Sequence, residues 1–162
     1  MLIPLADGVA IVVSSLVWVL IGLATGWYFH SRPADRYARD NWLTRARPFE
    51  AGGRWYQRRL RIRSWKDRLP EKGDLFRGGF SKRHLVDRST PHLERFVVET
   101  RRAEMVHWSN LMAGPVFLVW CTPVLGGCMI VFGVVAHLPF ITIQRYNRER
   151  LLAILGRRRA SA

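Results

Sequence analysis

The chain has 162 residues, the length of one ordinary domain, and a net charge of +14. Its 26 Lys and Arg outnumber 12 Asp and Glu, and the basic residues flank two uncharged apolar runs. That distribution argues against a plain soluble fold. It favours membrane lipids with anionic headgroups as a partner, and no nucleic acid.

The first apolar run, Gly8 to Phe29, exceeds the ~18 residues that mark a membrane span. Residues 1–30 are therefore expected to hold an N-terminal transmembrane helix, from about Leu5 to His30. It is read as retained, because no basic stretch precedes it and it outlasts the ~7–15-residue core of a signal peptide. Trp27, Tyr28 and His30 form an aromatic belt at its end, and Arg32-Pro33 marks the exit.

Residues 31–103 form a basic, interfacial segment. Within "RWYQRRLRIRSWKDRLP" an in-plane helix is expected, with Trp55, Tyr56, Leu60, Ile62 and Trp65 toward lipid and arginines toward phosphates. The alternation from Arg59 to Arg63 suits a short strand as the alternative. "EKGDLFRGGFSKRH" reads as a loop from its glycines. There His84, with Lys82 and Arg83, either contacts phosphate or is solvated; His84 to Asp87 lacks the His-x4-Asp spacing of many acyltransferases. A helix then starts with Thr90 as N-cap, Pro91 at the first helical position and Glu94 in the first turn. No stop signal intervenes before Pro115.

The second apolar run, Ser109 to Ile143, has no Asp, Glu, Lys or Arg, and it contains Pro115, Gly126-Gly127, Pro123 and Pro139. It is too long for one span of ~20 residues. Residues 104–144 are expected to form a transmembrane hairpin: a span to about Pro123, a turn near Leu125 to Gly127, and a return to about Gln144. A re-entrant hairpin that does not cross is the alternative. Residues 145–162 form a basic tail. The fold class is thus an all-α integral membrane protein with about three transmembrane helices. Both basic segments are expected on the cytoplasmic side, in a multi-pass protein. Cys121 and Cys128 read as small apolar residues, with no disulfide, metal or cofactor implied.

The stretch "ETRRAEMVHW", residues 99–108, meets the second run. On a helix, Thr100, Glu104, His107 and Leu111 fall within an arc of about 60°. Glu104 and His107 are neighbours at three-residue spacing, and a carboxylate beside an imidazole orients the ring and raises its basicity. That suits a general base acting on a hydroxyl, with Glu104 and His107 as candidate catalytic residues. The bland reading is a structural ion pair. A di-iron site would need two copies of Glu-x-x-His plus two more carboxylates from other helices, and this chain has one copy. Arg101 and Arg102 lie on other faces, where they suit the phosphates of an acyl donor or lipid. His137 lies within the last span and is read as functional, with packing against a carbonyl as the alternative. Asn147 and Arg148, in "QRYNRERL", are candidate polar site residues, with membrane anchoring as the plainer role.

"WYQRRLRIRSWKDRLP", "GGFSKRHL", "ETRRAEMVHW" and "LPFITIQRYNRERL", in this order and spacing, resemble the bacterial glycosyl-diaponeurosporenoate acyltransferase family. These small membrane enzymes are associated with the last step of staphyloxanthin-type carotenoid synthesis. The resemblance covers about residues 54 to 152. Matching residues are Glu99, Arg101, Arg102, Glu104, His107 and Trp108, then Arg145, Tyr146, Asn147 and Arg148, and Trp65, Lys66, Arg83 and His84.

The resemblance implies a bacterial cell-membrane enzyme that moves a fatty acyl group from a thioester, on coenzyme A or acyl carrier protein, to a hydroxyl of a glycosylated lipid. On that reading, Arg101, Arg102, Trp65, Lys66, Arg83, His84, Asn147, Arg148 and His137 bind donor or acceptor. A non-catalytic membrane subunit, or an anionic-lipid-binding module, is the alternative.

Overall fold

A computed structural model describes residues 2–69 and 89–161. The expected loop at 71–84, with Lys82, Arg83 and His84, lies outside the described residues. Among the described residues the secondary structure is helical, with no strand. Among these residues there are four α-helices, α1 (Asp7–His30), α2 (Arg54–Leu60), α3 (Thr90–Met112) and α4 (Pro123–Ala160), with short 3-10 turns between them.

The chain divides into two compact units. The first comprises Met1–Ser31 and Met105–Ile141, and the second Arg32–Glu104 and Thr142–Ala162. Both α3 and α4 therefore contribute to each.

In the first unit, α1 and α4 are long and apolar enough to cross a membrane. Helix α1 buries small residues, Ala10 and Ser14, both fully. Its opposite face carries Val12, Leu16 and Leu20, each about 60% exposed and spaced four apart. An apolar stripe of that length needs an apolar phase around it, and small residues at the inner face let helices approach closely. The end of α3 and the 3-10 turn Gly114–Val119 run antiparallel to α1. Thr25 Oγ1 donates to Asn110 Oδ1 at 2.7 Å, and the amides of Leu2 and Ile3 donate to the Val119 carbonyl at 2.7 and 3.0 Å.

The expected turn at Leu125 to Gly127 is not there. The break falls between Ala113 and Thr122, and α4 runs unbroken through Gly126, Gly127 and Pro139. Pro115 lies at the start of the 3-10 turn and Pro123 at the start of α4, where a missing N–H costs nothing. Gly126 serves packing instead of turning: a Cβ there would stand 2.4 Å from Leu118 Cδ2. Among the described residues the two helices long and apolar enough to span are thus α1 and α4, and the stretch 105–122 adds no third one of that kind.

The second unit has two apolar clusters. Leu93, Phe96 and Val97 of α3 pack on Leu151 and Leu155 of α4. Tyr56 and Ile62 pack on Ile143 and Tyr146, with Trp55, Trp65 and Leu69 at the margin. The row expected to face lipid is therefore split. Helix α2 stops at Leu60, Arg61 turns left-handed at φ 45°, and a 3-10 turn follows at Ile62–Ser64. That reversal sends Tyr56 and Ile62 inward and leaves Leu60 exposed. Helix α3 begins at Thr90, and the carbonyl of Ser89 accepts from the Leu93 amide, placing the cap one residue earlier than expected.

Candidate active site

In the first unit, His107 Nδ1 and His137 Nδ1 stand 3.2 Å apart. The rings are held from their other faces. Phe140 stacks on His107 at 4.9 Å and 9°, and Trp18 lies 5.8 Å from His137. Helix α3 supplies one imidazole, α4 the other and one of the aromatic walls, and α1 the indole. Two neutral imidazoles at this distance need opposite roles: one Nδ1 carries a proton and donates it, the other accepts. The donating ring is then unprotonated at Nε2, and its partner carries N–H at Nε2. The contact thus fixes two complementary tautomers, as a base and a proton donor require.

In the second unit, Glu104 is fully buried. Its Oε1 accepts from Arg145 Nη1 at 2.7 Å and its Oε2 from Arg148 Nη1 at 2.5 Å. Arg145 also donates to Glu50 Oε1 at 2.7 Å and to the carbonyls of Leu43 and Arg45. Arg148 donates to the carbonyl of Thr44. Tyr56 donates to Glu50 Oε1 at 2.7 Å, and Glu50 Oε2 accepts from the Arg47 amide. Two carboxylates and two guanidiniums, all largely dry, thereby satisfy one another and the carbonyls of residues 43–45.

The electrostatics follow from that arrangement. Burial works against charge on Arg145, but Glu104 and Glu50 outweigh it and hold the guanidinium above its ordinary pKa. Burial, and then the Glu50 carboxylate, push Tyr56 well above the phenol range. Burial, and then Glu50, raise Glu149 above the usual carboxylate value.

The other sequence-predicted residues fall as follows. Arg101 is 6% exposed; its Nε donates to Asp40 at 2.6 Å and its Nη1 to the carbonyls of Tyr37 and Ala38. Arg102 pairs with Glu99 at 2.6 Å and lies over the Tyr37 ring at 5.0 Å. These contacts tie both arginines to the 32–40 segment and their own helix. Trp65 donates its indole N–H to the Leu60 carbonyl at 2.9 Å, and Lys66 pairs with Asp67. Asn147 is half-buried on α4. Arg83 and His84 lie outside those residues. Among the described residues no three His, Cys, Asp or Glu side chains gather to hold a metal ion.

Sequence reasoning did not single out Glu50, and it turned Tyr56 toward lipid where the structure buries it. Their chemistry depends on Arg145, 95 residues from Glu50 in the chain. The signal for Arg145 and Arg148 was their i, i+3 spacing, which puts both guanidiniums on one face of α4.

A family model described as glycosyl-4,4'-diaponeurosporenoate acyltransferase matches residues 39–157. Proteins of that name from Staphylococcus aureus strains USA300 and COL are each 31% identical over 143 residues, covering 87% of this chain and 85% of theirs. The one from strain Newman is 29% identical over the same coverage. No solved structure gives a significant match. The matched region contains Glu50, Tyr56, Glu104, His107, His137, Arg145 and Arg148. The chain belongs to the glycosyl-4,4'-diaponeurosporenoate acyltransferase family and is an acyltransferase.

Proposed function

We propose that the chain transfers a fatty acyl group from a thioester to a hydroxyl of a glycosylated lipid, a carotenoid glycoside of the kind named in its relatives. His107 acts as the general base. The hydroxyl oxygen attacks the thioester carbonyl carbon as the imidazole takes its proton. The tetrahedral intermediate collapses, the C–S bond breaks, and the thiolate leaves with that proton.

The observation that carries this reading is the Nδ1 to Nδ1 distance of 3.2 Å between His107 and His137. It gives His107 a partner that fixes its tautomer, the task first expected of Glu104. Glu104 is a positioning residue instead, since both its oxygens hold arginines. His107 and His137 belong to the unit that holds both apolar spans. A polar pair there is costly unless used. The donor is a coenzyme A or carrier-protein thioester, and the basic segments lie on the cytoplasmic side, where such donors are found.

The test is acyl transfer by the purified chain, with an acyl thioester and glycosylated lipid extracts, read by mass spectrometry of the lipids. Product is expected with the native chain and not with His107→Ala folded in the same detergent. Full activity of that variant eliminates the base assignment, and no product from the native chain eliminates the reaction.

A further inference from the structure

One face of residues 49–59 is fixed in the protein and the other is open. On the inner face, Glu50 and Tyr56 are buried and bound to Arg145. On the outer face, a cleft of about 410 Å³ is lined by Phe49, Ala51, Arg54, Trp55, Arg58 and Arg59. Phe49 is 55% exposed, and its ring meets the Trp55 ring edge-on at 5.2 Å.

The three arginines follow from helical spacing. Arg54 and Arg58 are four apart on α2, and so are Trp55 and Arg59, giving two parallel rows. Among the described residues none of the three makes an ion pair. Arg54 Nε donates to the Ala51 carbonyl at 3.2 Å, a neutral acceptor. The nearest carboxylate in sequence to Arg54 and Arg58, Glu50, is turned inward and held by Arg145, Tyr56 and the Arg47 amide, and the nearest to Arg59, Asp67, pairs with Lys66. Among the described residues the cleft lining thus has three positive charges and no acid.

The backbone supports the same face. Ala51, Gly52 and Gly53 are all left-handed, at φ 47°, 64° and 87°. Such a conformation is costly for alanine and persists where its surroundings hold it. Here the Glu50 anchor on one side and Gly53 packed on Tyr146 on the other hold it. Three guanidiniums without an ion pair among the described residues, beside two aromatic rings, match a phosphate oxyanion carried by an apolar or planar group.

We propose that this cleft binds a phosphate ester, with its phosphate on Arg54, Arg58 and Arg59 and its apolar or planar remainder against Phe49 and Trp55. Two sources share that chemistry: a phosphorylated acyl-thioester carrier and an anionic phospholipid headgroup. Assigning the ester to the acyl donor rests on the proposed acyl transfer; the anion site itself does not.

The test uses the full chain in neutral detergent. Coenzyme A binding is read by equilibrium dialysis, and phosphatidylglycerol binding by native mass spectrometry. Arg58→Gln/Arg59→Gln is expected to raise Kd for one of the two ligands about tenfold or more. Arg157→Gln, an exposed arginine outside the cleft, leaves it unchanged, and added salt weakens native binding. If the double variant does not fold, Phe49→Ala serves in its place, with weaker binding expected. Loss confined to coenzyme A identifies the donor as occupant, and loss confined to phosphatidylglycerol identifies the headgroup. Equal Kd values for native and variant with both ligands, or no binding by the native chain, overturn the proposal. A chain that binds at the cleft but transfers no acyl group retains the anion site and loses the reaction.

Discussion

Arg148 of α4 donates Nη1 to Oε2 of Glu104 on α3 at 2.5 Å, with the arginine 1% exposed and the glutamate fully buried. Neither charge has water to fall back on, so removing one strands the other. Glu104→Gln is expected to destabilise the fold by about 3–5 kcal/mol, the cost of a buried charge left without its partner. Thermal unfolding in detergent measures it. A native-like melting temperature together with lost activity would instead make Glu104 a direct participant in the chemistry.

The histidine pair should behave differently. His107→Ala is expected to lower the rate of acyl transfer by about 10²–10⁴-fold, with little change in melting temperature. His137→Ala should lower it less, because the base survives and only its tautomer and orientation are released. Single-turnover rates at saturating donor distinguish the two. A larger loss at His137 than at His107 would exchange their roles.

Arg101 offers a further contrast. Its contacts to Asp40 and to the carbonyls of Tyr37 and Ala38 are internal. Arg101→Gln should therefore reduce stability and leave the KM for the acyl donor unchanged in whatever fraction stays folded. A raised donor KM with unchanged melting would return this side chain to substrate binding.

Glu149 provides a pH signature. Burial, then Glu50 and Asp40, raise its pKa, while Arg148 and Arg145 pull the other way and do not prevail. The folded state therefore prefers the protonated form. Stability contributed by this group is present at low pH and is lost as pH rises from the ordinary carboxylate value through the raised one. Glu149→Gln imitates the protonated form. Above that window the variant should melt higher than the native chain, and below it the difference should vanish. Melting curves across acidic to neutral pH test the sign.

Gly133 tests the packing behind His137. A Cβ at this position would stand 3.0 Å from the Trp18 ring, which also touches Phe117 and His137. Gly133→Leu is expected to displace the indole, cost about 1–3 kcal/mol and lower activity. Gly8, with nothing within 4 Å of its Cβ position, should accept alanine without loss. Comparing melting and turnover of the two variants checks the prediction.

Much of the architecture was legible in the chain because it depends on local composition. Two uncharged runs of more than 20 residues dictate apolar helices wherever they sit. The helix through "ETRRAEMVHW" and the family resemblance needed only neighbouring residues and their order. The candidate site was legible only in residue types, since His107, His137, Glu104 and Arg148 are all marked by charge or by a ring nitrogen next to apolar sequence.

Partnership was decided elsewhere. Glycine and proline signals placed a turn at Gly126-Gly127, but Gly126 is small so that Leu118 can pack on it. Spacing of three on one helix makes Glu104 and His107 neighbours, and each side chain also meets partners on α4. The carboxylate took two guanidiniums and the imidazole took another imidazole. Sequence by itself determined the two long apolar helices, because these follow from local composition, and the family, through motifs in their order and spacing. Only the tertiary structure decided which acids meet which bases. A hydrogen bond selects by distance across helices, and residues far apart in the chain supply the partners.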